Sequence, residues 1–117
     1  MKETPVTYEG DGRKVAYISG AITTNPKYEE TFAQAEKYAG SLGYIVLNPA
    51  VLPKGMAHGK YLPINDAMIG VSDIVFLIPN WKESVGCAHE IITAKSLGKE
   101  LREIPTSVFT DKTERGD

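Results

Sequence analysis

The sequence has one cysteine, no long apolar run and no cluster of basic residues. A lone Cys87 cannot form an internal disulfide, so nothing favours an oxidising compartment. The longest apolar runs, such as residues 74–79, are far shorter than the roughly 20 residues that a membrane helix needs. The first residues are polar and lack the apolar core of a signal peptide. We therefore predict a cytoplasmic protein with no membrane partner.

Basic residues are not concentrated anywhere in the chain. The 13 Lys and Arg residues are interspersed with 15 Asp and Glu residues, which gives a net charge of −2. Binding to a nucleic-acid polymer normally requires clustered positive charge, so we expect a small-molecule ligand instead. The sequence also lacks the glycine-rich dinucleotide fingerprint and the Walker loop. Cys87 and His89 point to different sides of a helix and no further cysteine completes a zinc set, so neither a metal nor a cofactor is expected.

The 117 residues suffice for one compact domain, and their apolar pattern alternates between strands and helices. The segment before the first helix contains Asn25 as a cap and Pro26 at the first helical position, and Gly43 is expected to end that helix. Predicted strands cover residues 15–18, 44–47, 74–78 and 100–104. Predicted helices cover residues 26–42, 63–70 and 84–97, and residues 49–62 form a loop long enough to cover a site.

This alternation predicts an α/β fold: a single three-layer Rossmann-like or flavodoxin-like domain with a mainly parallel sheet of four or five strands. The domain is expected over residues 14–104, after a polar leader at 1–13 and before a flexible tail at 105–117. In the last helix, the residues expected to contact the core are Ala88, Ile91, Ile92 and Ala94.

Ligands of parallel sheets bind beyond the carboxyl ends of the strands, which places residues 19–21, 48–49 and 80–86 around one crevice. Three groups that could carry chemistry converge there. The first is the turn at residues 19–22, where Gly20 permits close backbone approach to a ligand but equally suits a simple strand-to-helix turn. The second is the helix start at residues 84–86, where free N–H groups favour an anion, although capping alone also explains Ser84.

The third group is a pair of carboxylates, Asp66 and Glu90. Glu90 stands in an apolar stretch of its helix, where an inward carboxylate must be paired or functional. Spacing alone equally allows Glu90 to face water, and Asp66 to cap a helix or form a salt bridge. His58 is interpreted as a solvated loop residue, and Trp81 as a packing residue or a ring that stacks on a base.

Taken together, these residues resemble the nucleoside 2-deoxyribosyltransferase-like superfamily, in particular its small bacterial and phage branch near the nucleotide N-hydrolases. The similarity extends over residues 14–100 and depends on the order and spacing of separate motifs. These motifs are Val15-Ala16-Tyr17-Ile18-Ser19-Gly20-Ala21-Ile22, Gly43-Tyr44-Ile45-Val46-Leu47-Asn48-Pro49, Asp66 with Val71-Ser72-Asp73, and Trp81-Lys82-Glu83-Ser84-Val85-Gly86-Cys87-Ala88-His89-Glu90.

The resemblance implies a role for each matching position. Glu90 would attack the anomeric carbon, Asp66 would help to deliver a proton to the leaving base, and Tyr17 would orient the nucleophile. No cofactor is implied, and a homo-oligomer is expected. The residues implied in substrate binding are Ser19, Gly20, Ala21, Ile22, Asn48, Trp81, Ser84 and Gly86.

The residue six positions before the nucleophile separates two branches of the superfamily. Transferases of free nucleosides carry an acidic residue there, whereas the nucleotide N-hydrolases carry a serine that binds the 5′-phosphate. Ser84 therefore implies a nucleoside 5′-monophosphate, and a serine at a helix start also attracts phosphate better than a carboxylate does. However, the serine and arginine that follow the first glycine in the hydrolases are replaced by Ala21 and Thr23, so Lys54, Lys60 or Lys82 would have to supply the positive charge.

The function predicted from the resemblance is cleavage or transfer of the N-glycosidic bond of a nucleoside 5′-monophosphate or nucleoside. Such chemistry proceeds through two carboxyl groups, as in retaining glycoside hydrolysis. A catalytically silent nucleotide sensor with the same crevice is the first alternative, and an interaction module without a ligand is the second.

Overall fold

Four parallel strands form one sheet, and the helices that connect them cover both of its faces. The computed structural model describes residues 9–109. The strands, in the sheet order β2-β1-β3-β4, are β1 (Val15–Ser19), β2 (Ile45–Leu47), β3 (Ile74–Leu77) and β4 (Glu100–Glu103). The α-helices within these residues are α1 (Tyr28–Ser41), α2 (His58–Gly70) and α3 (Val85–Ser96). The predicted α/β class is confirmed, with a flavodoxin-like strand order.

Side chains of successive residues in a strand point to opposite faces, and this alternation divides the core in two. On what we call the α1 face, Ala16 and Ile18 of β1 pack with α1. On the α3 face, Tyr17 of β1 packs with residues of α2 and α3. Ser19 follows Tyr17 by two positions and therefore points to the same face.

The α1 face is apolar throughout. Phe32, Ala35 and Ala39 recur at helical spacing and are fully buried against the sheet. The rings of Tyr38 and Tyr44 meet Phe76 edge-on, with ring centroids 6.0 and 5.4 Å away. These are favourable aromatic geometries, so this face supplies a continuous hydrophobic core.

The helix predicted over residues 26–42 is observed with a later start. The side-chain oxygen of Asn25 accepts a hydrogen bond from the Lys27 N–H at 3.0 Å. The backbone carbonyl of Asn25 accepts one from the Tyr28 N–H, also at 3.0 Å. Asn25 thus closes a turn at residues 26–27, and the regular helix begins only at Tyr28. Gly43 follows the helix with φ +98°, the left-handed conformation expected of a terminating glycine.

The second helix is longer than the predicted 63–70, because it begins at His58 and includes Pro63. The additional turn is held from outside the helix. The Tyr61 hydroxyl donates to the Pro53 carbonyl at 2.6 Å and accepts from the Met56 N–H at 3.2 Å. The prediction that residues 49–62 form one loop is therefore wrong in its last part, and a short 3₁₀ helix at Pro49–Val51 interrupts its start.

The third helix agrees with the prediction in its bounds but not entirely in its buried face. Ser84 is the N-cap and Leu97 the C-cap of α3, and Ala94 is buried as expected. Ala88 and Ile92, in contrast, are exposed, and Ile92 is exposed by 68%. The helix is rotated so that Cys87 and Glu90, rather than Ala88, face the sheet.

The chain after β4 continues along the α1 face. Thr106–Phe109 forms a 3₁₀ turn, and Val108 and Phe109 pack against the core of that face. The expected tail at 105–117 thus begins with residues that contact the core, while residues 110–117, like residues 1–8 of the expected leader, lie outside the described part of the chain. Among residues 9–109, none of the helices is both long enough and apolar enough to cross a membrane.

Candidate active site

The carboxylate of Glu90 lies at the carboxyl end of β1, where two hydroxyl groups hold it. Tyr17 Oη donates to Glu90 Oε2 at 2.9 Å, and Ser19 Oγ donates to Glu90 Oε1 at 2.5 Å. Both hydroxyls come from the α3 face of β1, while Glu90 comes from α3. The inward position that sequence spacing left open is therefore the observed one.

A third contact to the same carboxylate comes from α2. Asn65 Nδ2 lies 3.4 Å from Glu90 Oε2, a long hydrogen bond. Its Oδ1 is buried and has no hydrogen-bond partner among the described residues. The three donors contact both carboxylate oxygens and hold the carboxylate in this orientation.

Burial and hydrogen bonding act in opposite directions on the acidity of this group. Burial raises the pKa of Glu90, whereas the hydrogen bonds from Ser19 and Tyr17 lower it, and the net shift is upward. Burial and the neighbouring Glu90 raise the pKa of Tyr17 well above its usual range, so Tyr17 remains a hydrogen-bond donor. Strongly perturbed groups of this kind, facing a cavity, are typical of functional sites.

Cys87 lies beside these groups but is a poor candidate for a nucleophile. Its Sγ is 3.4 Å from Ser19 Oγ and the residue is buried. Burial raises the pKa of the Cys87 thiol, and nucleophilic attack requires the thiolate. We therefore assign the Cys87 side chain to packing.

Glu90 forms part of the wall of a cavity of about 750 Å³, within the size range of small-molecule sites. Its walls come from the turn after β1, the segment before α2, and the first turns of α2 and α3. Of the predicted site residues, the cavity is lined by Gly20, Ile22, Ser84, Gly86 and Glu90. Its other charged or titratable side chains are Tyr28, Lys54, His58, Tyr61, Glu83 and His89.

The turn after β1 is held rigidly behind the cavity. The Ala21 N–H donates to Asn80 Oδ1 at 3.0 Å, which ties this turn to the one after β3. Ala21 itself is fully buried and does not line the cavity. A Cβ at position 20 would come within 2.6 Å of Ile78 Cδ1, so packing against Ile78 is sufficient to require Gly20.

The start of α3 presents backbone N–H groups to the cavity. Ser84 Oγ accepts from the Cys87 N–H at 3.2 Å, and the Ala88 N–H bonds to the Ser84 carbonyl at 3.2 Å. The N–H groups of Val85 and Gly86 have no intrahelical partner, because the first turn of a helix lacks acceptors. This arrangement favours an anion at the helix start.

His89 lies between Asp66 and the cavity, whereas the resemblance implied that Asp66 itself would help to deliver a proton to the base. Asp66 does not line the cavity, and its Oδ1 is 3.2 Å from Nε2 of His89, which does. Both side chains are about half exposed, at 41% and 48%. Asp66 therefore contacts the cavity through His89.

Asn48 and Trp81 also lie outside this cavity. Asn48 accepts from the Ala50 N–H at 2.9 Å and donates to Glu36 Oε1 at 2.9 Å, within a second cavity of about 400 Å³ next to α1. Trp81 packs against the core of the α3 face, and the Lys82 ammonium lies 5.6 Å from its ring. In this structure Asn48 shapes the turn after β2 and Trp81 contributes packing.

Sequence reasoning assigned no role at the site to Asn65 or His89, and it placed Asn80 at the crevice without a contact. Asn65 is four positions before Ile69, which is buried against the sheet, so helical spacing could have placed it on the inward face of α2. Asn80 follows β3 directly, at the rim where ligands bind. For His89 the available signal was its position next to Glu90, but its partner Asp66 depends on how α2 and α3 pack.

The all-parallel sheet in the order β2-β1-β3-β4, with helices on both faces, defines the class of this protein as an α/β fold. A 2-desoxiribosyltransferase from Leishmania mexicana has a similar structure, with a TM-score of 0.63 over 80% of this chain at 21% sequence identity. The chain spans 65% of the length of that enzyme. The likeness confirms the resemblance seen in the sequence at the level of the fold.

The family assignment follows from the sequence match. Residues 14–103 match the family described as "Domain of unknown function (DUF4406)", and the chain therefore belongs to this family. No curated protein matches the chain in sequence.

Proposed function

We propose that this protein cleaves the N-glycosidic bond of a nucleoside 5′-monophosphate or nucleoside, with Glu90 as the nucleophile. The observation that carries the proposal is the Glu90 carboxylate, held by the hydroxyls of Tyr17 and Ser19 on the wall of a nucleotide-sized cavity. The fold shared with the Leishmania mexicana 2-desoxiribosyltransferase supports it.

The surroundings of Glu90 suit a carboxylate that attacks carbon. Burial removes water from the group, and a partly desolvated carboxylate with an upward-shifted pKa is a stronger nucleophile than a hydrated one. The hydrogen bonds from Tyr17 and Ser19 offset part of the effect of burial on its pKa and aim the carboxylate at one position. In the proposed reaction, Glu90 bonds to C1′ as the bond from C1′ to the base breaks, and water or a second base then releases the sugar.

The proposed phosphate site is the start of α3. Ser84 and the N–H groups of Val85 and Gly86 would contact the phosphate oxygens, and the positive end of the helix dipole would favour their charge. Of the three lysines considered from the sequence, Lys54 lines the cavity, whereas Lys60 and Lys82 do not. Lys54 pairs with Glu29 at 3.0 Å and would have to exchange this exposed partner for the phosphate, at little cost.

We also propose that the chain forms a homo-oligomer through α3. Val85 and Ile92 are exposed by 89% and 68% on the side of α3 that turns away from the sheet, and Ala88 is exposed between them. Val85 also lines the cavity, so a second copy packed on this strip would border the cavity entrance. Sedimentation equilibrium of the wild type and of Ile92→Lys tests this: a monomeric wild type would contradict it.

Free-base release, followed by chromatography over a panel of ribo- and deoxyribonucleosides and their 5′-monophosphates, tests the reaction. We expect release of base by the wild type, and a loss on the order of 10⁴-fold or more in Glu90→Gln. Glu103→Gln, which removes an exposed carboxylate of β4, is the matched control. A ligand that raises the melting temperature without any base release would favour the nucleotide sensor instead.

A further inference from the structure

We propose that His89, positioned by Asp66, is the acid that protonates the departing base. This role rests on the proposed glycosidic cleavage, because it assigns the second catalytic group of the same site. The first observation that supports this role is the position of two consecutive residues of α3. Glu90 and His89 both line the cavity of about 750 Å³. A nucleophile and a proton donor on one rigid helix would keep their separation throughout the reaction.

The hydrogen bond between His89 and Asp66 determines how the imidazole can act. With Nε2 donating its proton to Asp66 Oδ1 over 3.2 Å, Nδ1 is the nitrogen that remains for a ligand in the cavity. Asp66 comes from α2 and His89 from α3, so the contact joins the two helices that wall the cavity. A carboxylate on one ring nitrogen fixes the ring orientation.

The reaction balances with these groups alone. The bond from C1′ to the base breaks, and its electron pair goes to the base. A bond forms from Glu90 to C1′, while Nδ1 of the His89 imidazolium transfers its proton to a nitrogen or oxygen of the base, which leaves neutral. Neutral His89 then accepts a proton from the water that attacks C1′, and the free Glu90 carboxylate and the imidazolium are restored.

The other acidic groups around the cavity fit this role less well. Tyr17 bonds to Glu90 and its pKa is raised far above the usual range by burial and by that carboxylate. Asp66 does not line the cavity. The Tyr61 hydroxyl donates to the Pro53 carbonyl at 2.6 Å. His58 is the remaining histidine of the cavity wall and is the competing assignment.

The test compares two substrates that differ only in whether the base needs a proton to leave. A purine nucleoside monophosphate is compared with its 7-methyl analogue, whose base is already cationic; for a pyrimidine-cleaving enzyme the pair is the uridine and 5-nitrouridine monophosphates. The rate compared is that of base release in a single turnover, which contains only the step that needs the acid. We expect His89→Gln to lose roughly 10²- to 10⁴-fold in this rate on the ordinary substrate. On the activated substrate it should retain a near wild-type rate of base release.

The variant Asp66→Asn distinguishes a role of Asp66 in positioning His89 from a purely structural role. The amide keeps the size of the side chain but removes the negative charge opposite the imidazole. We expect a smaller loss of the single-turnover rate of base release than in His89→Gln, with the same recovery on the activated substrate and a nearly unchanged KM. A structural defect would lower the rate on both substrates equally.

Three outcomes would overturn the role of His89, and they can be told apart. Equal losses of His89→Gln on both substrates, with cleavage still dependent on Glu90, would remove His89 and leave the proposed function intact. A loss confined to the ordinary substrate in His58→Gln, with none in His89→Gln, would transfer the role to His58. No cleavage of any substrate by the wild type would overturn both proposals.

Discussion

The two faces of the sheet are built from the same strands but serve different purposes. On the α1 face, every residue that β1 and β3 contribute is apolar, and Phe32, Ala35 and Ala39 of α1 are fully buried against them. On the α3 face, the same β1 contributes the hydroxyls of Tyr17 and Ser19, which meet the carboxylate of Glu90. These strands therefore make apolar contacts on the α1 face, whereas part of their surface on the α3 face is polar.

This difference shows how a small domain can accommodate a largely buried carboxylate. A desolvated charge is costly, and natural sites keep such groups because the surrounding structure provides the stability. Here the continuous core of the α1 face is on the opposite side of the same strands. We therefore expect substitutions on the α1 face to affect stability first, and substitutions on the α3 face to affect activity first.

The largest expected effect on stability comes from the α1 face. Phe32→Ala removes a fully buried ring and should lower the free energy of unfolding by roughly 3–5 kcal/mol. Ile91→Ala on the partly buried α3 face should cost less. Urea denaturation of both variants measures the two losses of unfolding free energy. An equal or larger loss in Ile91→Ala would contradict the expectation that the α1 face contributes more to stability.

A smaller effect is expected where the two strands of the site approach each other. Gly20→Ala places a Cβ within 2.6 Å of Ile78 Cδ1, and overpacking of this kind typically costs about 1–3 kcal/mol. The double variant Gly20→Ala with Ile78→Val removes the closest atom and should recover part of the loss. Full additivity of the two changes in thermal denaturation would show that Gly20 is required for another reason.

Ser84 connects stability and binding at the start of α3. Ser84→Ala removes the acceptor for the Cys87 N–H and should cost about 1 kcal/mol of stability. If the start of α3 binds phosphate, KM should rise more for nucleoside monophosphates than for free nucleosides. Ser84→Gly, which preserves most of the capping stability but not the hydroxyl, is the matched control. An equal change of KM for both substrate classes would place the phosphate elsewhere.

The smallest effect is a pH dependence of stability at Glu90. Burial raises the pKa of Glu90 in the folded state, so the folded protein prefers the protonated form, and its stability falls as pH rises through that pKa. Glu90→Gln has no such loss. The variant should therefore gain melting temperature over the wild type at pH values above the raised pKa, and little or none below the ordinary glutamate pKa of 4.5. A difference that is largest in acid would reverse the sign and contradict the assigned burial.

Much of the fold could be predicted from the sequence because its signals are local. The helical spacing of Phe32, Ala35 and Ala39, and Gly43 after them, placed α1 within two residues of its observed bounds. The early start of α2 could not be predicted, because it depends on the Tyr61 hydroxyl, which binds backbone groups outside the helix. Propensity alone favoured a start at Pro63.

The candidate site likewise contains some contacts that local sequence patterns predict and others that they do not. Alternation along β1 is a local pattern, so Tyr17 and Ser19 could have been assigned to one face from the sequence, and the resemblance already paired Tyr17 with the nucleophile. The contacts of Asn65 with Glu90 and of Asp66 with His89 join α2 to α3. They depend on the angle and rotation of two packed helices, which no spacing in the sequence specifies.

The most direct test of the account is the mass of the intact protein, quenched in acid during turnover of its best substrate. If Glu90 is the nucleophile, a fraction of the protein should carry the mass of the sugar, or sugar phosphate, on the peptide that contains Glu90. Glu90→Gln should carry none. Release of base with no adduct at any quench time, and with the same rate in Glu90→Gln, would contradict the central claim.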